Sequence, residues 1–180
     1  NNKVKKTTKV NGAETWAGTT IGTSTGFATA IPLTAASSQM SVRVYSPAAG
    51  IRVLLKVEDH TNGQRSVETF ATTTMAGEWE TLIFDFNNQA PGTAAFNATY
   101  TYDMASIFFD FGNSGNGKVF YWDDVRKLST NFVETVSLPL TFESNNLTYT
   151  WNDFDGGVVT VVNNPQSGGI NTSAKVGKMV

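Results

Sequence analysis

Carboxylates stand close together at Glu58-Asp59 and at Glu78 with Glu80. A glycosidase needs two such groups about 5–10 Å apart across a cleft. Neighbours on an extended strand point to opposite sides, so Glu58 and Asp59 cannot face one substrate. Glu78 and Glu80 share a side, but they flank Trp79, which reads as the core-packed start of a strand. The chain has one histidine, His60, and no cysteine. That removes multi-histidine metal sites, thiol catalysis, disulfides and cysteine-bound zinc or iron–sulfur centres. A Ser-His-Asp triad would have to be built on that single imidazole. These residues do not point to an enzyme.

Aromatic rings offer a second kind of chemistry. Sugars present apolar C–H faces and many hydroxyls, so a sugar site pairs an exposed ring with planar polar groups. The candidate rings are Trp16, Tyr45, Tyr100, Tyr102, Tyr121, Tyr149 and Trp151. Trp16, Tyr100, Tyr102 and Trp151 are preferred because small or polar residues flank them, whereas Trp79 and Trp122 read as core. Arg52, Lys56, Glu58 and Arg43 could supply hydrogen bonds from a sheet face.

The elements that must hold these groups follow from composition and period. The chain has 180 residues, 40% of them hydrophobic and 12% aromatic, enough for one domain with a sizeable core. Its net charge of −2 argues against nucleic acid as a main partner, because phosphate neutralisation needs a basic surface. No apolar run is long enough to form a membrane-spanning helix. Charged residues make up 16%, and Thr, Asn, Ser and Gly take their place. Such neutral surfaces are common in extracellular β-proteins. Lys3, Lys5, Lys6 and Lys9 read as a solvated edge or loop, where lysines discourage edge pairing.

Apolar residues recur every second position at Met40-Val42-Val44, Ile51-Val53-Leu55-Val57, Leu82-Phe84-Phe86 and Ile107-Phe109-Phe111. That period predicts strands. Further strands are expected near 13–21, 66–73, 119–128, 138–143, 157–163 and 172–180, and Lys56–Glu68 reads as a hairpin around Asn62-Gly63. No helical stripe is present; residues 93–105 are the nearest, and Tyr100-Thr101-Tyr102 argues against them. About ten short strands at this spacing predict an all-β, two-sheet antiparallel sandwich, as in a jelly roll.

Three segments carry a resemblance. Val-Phe-Tyr-Trp-Asp-Asp-Val at 119–125 resembles the closing strand of jelly-roll carbohydrate-binding modules of the galactose-binding-like type, such as families four, six and twenty-two. Leu-Pro-Leu-Thr-Phe-Glu at 138–143 resembles their opening strand, and 156–176 their second and third strands. The central part, Val44–Phe86, resembles related modules appended to polysaccharide-degrading enzymes and bacterial surface proteins. The resemblance implies a non-catalytic module outside the cell or on a bacterial surface, with a polysaccharide or other glycan as partner. It also implies a structural Ca²⁺ held by Glu143 and by Asp123 or Asp124, with backbone oxygens of the Pro165–Gly169 turn.

The order of the parts is unusual, because Phe142-Glu143 follows Asp123-Asp124. Residues 1–134 are therefore expected to form the main part of a sandwich, and 135–180 the opening strands of the same fold. Those opening strands complete the sheet within the chain, or that of a neighbouring repeat or second copy. The alternative function is then a structural subunit of a surface filament or stalk, joined head to tail by strand complementation.

Overall fold

The computed structural model describes residues 3–129, 142, 149, 151–166, 168 and 173–180. The chain divides into two compact units, Asn1–Phe132 and Val133–Val180. Among the described residues there is no helix, hence none long and apolar enough to cross a membrane.

The first unit holds eight strands: β1 (Lys5–Lys9), β2 (Thr19–Ile21), β3 (Gln39–Tyr45), β4 (Arg52–Asp59), β5 (Asn62–Thr72), β6 (Trp79–Asp85), β7 (Met104–Phe109) and β8 (Lys118–Lys127). They make two antiparallel four-stranded sheets, ordered β1-β8-β3-β6 and β2-β7-β4-β5. The alternation seen in the sequence decides which side chains turn inward. Met40, Val42, Val44, Leu82, Phe84, Phe120 and Trp122 of the first sheet share one core with Val53, Leu55, Val57, Val67, Ala105, Ile107 and Phe109 of the second. The fold is a β-sandwich. Phe109 and Phe120 stack across the layers with ring centres 4.7 Å apart. Trp122 is buried, and its indole N–H donates to Thr7 Oγ1 at 3.0 Å.

Several boundaries differ from expectation. The lysine-rich segment, expected as a solvated edge or loop, is the edge strand β1 with Lys5 and Lys6 exposed, but Lys9 is buried rather than solvated. The strand expected over 13–21 narrows to β2. The β4–β5 hairpin forms, but Asp59 pairs with Asn62, so His60-Thr61 is the turn and Asn62-Gly63 opens the next strand. In β8 a bulge places Asp124 and Val125 opposite Val42 alone, and Asp124 takes a left-handed φ of 49°. Aspartate tolerates that conformation better than most side chains. The bulge changes the strand's parity, so Trp122 and Val125 both reach the core.

In the second unit β9 (Val159–Asn163) and β10 (Lys175–Met179) form an antiparallel pair. Tyr149 and Trp151 stack at 5.8 Å, with Phe142 against both rings. The strand expected at 138–143 lies outside the described residues except for Phe142.

Candidate functional site

The outward face of the first sheet carries the most distinctive arrangement. Directly opposed residues on antiparallel strands share a face. Lys6 opposes Tyr121, Tyr121 opposes Tyr45, and Tyr45 opposes Trp79. The four form one row from edge strand β1 to edge strand β6. At about 4.8 Å between strands the row is about 14 Å long. Tyr45, Tyr121 and Trp79 are each half-buried. The Tyr45 ring lies 5.8 Å from Trp79 and 5.9 Å from Tyr121, edge-on to both.

A polar row runs alongside. Arg43 opposes both Asp123 and Thr81. Its side chain is exposed, and its guanidinium lies 5.3 Å from the centre of the Trp79 ring. A guanidinium near an aromatic ring is favourable and keeps its donors at the rim of the ring.

The turn before β6 fixes the tryptophan. Glu80 folds back on residues 74–75: its carboxylate accepts from the Thr74 amide at 3.0 and 3.1 Å, the Thr74 hydroxyl at 2.8 Å and the Met75 amide at 3.1 Å. Gly77, with φ 70°, donates its N–H to the Ser46 carbonyl at 2.8 Å. A side chain at Gly77 would sit 3.7 Å from the Tyr45 hydroxyl and strain the left-handed backbone.

The residues preferred from sequence lie elsewhere, on separate elements. Arg52, Lys56 and Glu58 do share the outward face of β4, as their spacing implied. Lys56 and Glu58 pair with each other at 2.7 Å, and Arg52 lies over Phe70 at 4.9 Å. Their neighbours form the hydrocarbon row Phe108-Leu54-Phe70, without a hydroxylated ring. Trp16 is 64% exposed in the β1–β2 loop. Tyr100 is exposed with Arg65 over its ring at 5.7 Å. Tyr102, expected as an exposed ring, is a core residue. Its hydroxyl meets the Asn97 backbone N–H and carbonyl at 3.1 Å each, and burial raises its pKa above the usual tyrosine value. Trp151 belongs to the second unit.

Trp79, read as core, instead faces outward beside Tyr45, because Leu82 and Phe84 take the inward positions of β6. Its odd-numbered position, shared with Thr81 and Ile83, was the available signal. What a single strand cannot reveal is the cross-strand register that lines up Trp79, Tyr45 and Tyr121.

The expected calcium ligands are placed in part. Asp123 is half-buried in β8; Asp124 is paired with Arg126 at 2.7 Å; Glu143 lies outside the described residues. A different group, Asp59, His60 and Asp103, brings its ligand atoms within 4.8 Å of one another. Its four carboxylate oxygens are already occupied. Asp59 accepts from the Thr61 amide at 2.9 Å, the Thr61 hydroxyl at 2.6 Å and Arg65 at 3.3 Å. Asp103 accepts from the His60 amide at 2.9 Å and meets the His60 ring at 2.6 Å. Hydrogen bonds from Thr61 lower the Asp59 pKa, and the His60 backbone N–H is the largest cause lowering that of Asp103. The cluster knits the β4–β5 turn to the start of β7.

Compared with known proteins, the sequence matches no family model and no curated protein.

Proposed function

We propose that the first unit is a non-catalytic carbohydrate-binding module of jelly-roll type, acting outside the cell or on a bacterial surface. The aromatic row Tyr121-Tyr45-Trp79 with the adjoining Arg43 and Asp123 carries the reading. Rings stack on sugar C–H faces, while their phenol and indole groups and the neighbouring charges meet hydroxyls. The strand orders β1-β8-β3-β6 and β2-β7-β4-β5 support the jelly-roll reading, since each sheet pairs early strands with late ones. Within this unit the residues that the resemblance offers to a structural Ca²⁺ are Asp123 and Asp124, the latter paired with Arg126 at 2.7 Å.

A glycan array followed by calorimetry tests the function. At least one polysaccharide is expected to bind, with Trp79→Ala weakening it tenfold or more, about 1.4 kcal/mol. Wild-type affinity in the Trp79→Ala variant, or silence across the array, overturns the reading.

One observation favours a repeat context. Lys3-Val4-Lys5-Lys6, which leads into β1, and Lys175-Val176-Gly177-Lys178 in β10 have three of four residues in common. We infer that the second unit is the opening of a further copy of the module within a tandem or filamentous protein. If so, Lys178→Glu and Lys6→Glu are equivalent substitutions, and thermal melts should show shifts of similar size for the two; a shift in one variant alone overturns the repeat reading.

A further inference from the structure

Lys9 differs from the rest of β1. Lys5 and Lys6 are exposed, whereas Lys9 is 4% exposed. Its Nζ donates to three backbone carbonyls: Asp110 at 2.9 Å, and Phe109 and Thr15 at 3.2 Å each. A lysine ammonium has three protons, so each can be matched to one oxygen.

Two of those oxygens belong to successive residues. Along a strand, successive carbonyls point in opposite directions. Asp110 sits at the end of β7 with a left-handed φ of 51°, which breaks the alternation and lets both carbonyls face one point. The Asp110 carboxylate is itself held by Lys118 at 2.6 Å and by Asn113 at 2.8 Å. The assembly draws on both sheets and on the β1–β2 loop.

Converging carbonyl oxygens beside a carboxylate are how proteins hold hard cations. Here the oxygens are neutral and the one carboxylate is already paired with Lys118, so the charge suits a monovalent ion better than a divalent one. We propose that this carbonyl cage is a cation site that the chain fills with its own ammonium in place of a structural metal, and that removing the Lys9 side chain opens it to potassium or methylammonium. Burial lowers the Lys9 pKa, because loss of hydration outweighs the attraction of the Asp110 carboxylate.

The test uses the full chain. The cage predicts that the wild-type melting temperature is the same in potassium and in choline chloride at equal ionic strength. Lys9→Met keeps the stem but leaves three carbonyls unmatched, and melts about 10 °C lower. Lys9→Gly is likewise destabilised, but regains part of the loss in potassium or methylammonium and none in choline. Lys9→Met melting with the wild type, or Lys9→Gly melting identically in all three salts, overturns the proposal. Should the variants fail to fold, nitrogen-detected NMR of the wild type decides: slow proton exchange at the Lys9 ammonium supports the cage, and exchange as fast as at Lys5 and Lys6 refutes it.

Discussion

Asp103 holds His60 at two points, its Oδ1 taking the backbone N–H at 2.9 Å and its Oδ2 meeting ring Nδ1 at 2.6 Å. One carboxylate thus fixes both the backbone and the ring of the β4–β5 turn. Gly26 packs against the pair, where an added Cβ would fall 2.9 Å from both Asp103 and the His60 ring. These contacts depress the Asp103 pKa below the ordinary carboxylate value, led by the backbone hydrogen bond. A depressed carboxylate contributes stability above its unfolded pKa of about 4, and that contribution is lost as pH falls through the folded value. Asp103→Asn is therefore expected to cost about 1–3 kcal/mol at pH 7 in urea denaturation. The gap to wild type should close progressively below pH about 4. An equal gap at pH 7 and at pH 2 would contradict this account.

The stack of Phe109 on Phe120 joins the two layers at their centre. Phe120→Ala should cost about 3–5 kcal/mol of unfolding free energy, and Phe120→Leu less, because a smaller cavity remains. Chemical denaturation of both variants checks the order.

Arg43 holds its guanidinium 5.3 Å from the centre of the Trp79 ring and is exposed. Arg43→Ala is expected to leave the melting temperature within about 2 °C while reducing glycan affinity several-fold. A change in stability with unchanged affinity would make the residue structural.

The left-handed bulge residue offers a backbone test. Asp124→Gly relieves the conformational cost but gives up the ion pair with Arg126, and both groups are largely exposed. The net change should stay within about 0.5 kcal/mol. Asp124→Val adds a β-branch at positive φ and should cost about 1–2 kcal/mol. Thermal melts of the two variants separate backbone from charge.

Much of the sandwich was legible in the sequence because core residues recur at every second position at Met40–Val44, Val53–Val57 and Leu82–Phe86, although Leu54 is apolar and buried on the other face of its strand. Strand β1 was not, since Lys5-Lys6-Thr7-Thr8-Lys9 has no apolar member, and it is held by pairing to β8 and by the buried Lys9. The turn of the β4–β5 hairpin was misplaced by two residues, because Asp59 and Asp103 fix His60-Thr61 as the corner ahead of the favoured Asn-Gly pair. The aromatic row depended on register between three strands far apart in sequence, which no local pattern encodes. Tyr102 looked exposed beside threonines; only the packed fold shows its ring against Phe96 and its hydroxyl on Asn97.

The row from Lys6 to Trp79 runs at right angles to its strands. A linear polymer seated there would lie like a beam across joists, touching both free margins of the sheet. Touching all four strands at once, it would bridge every hydrogen-bonded ladder of the layer, so occupancy and the sheet's resistance to lateral separation would be linked.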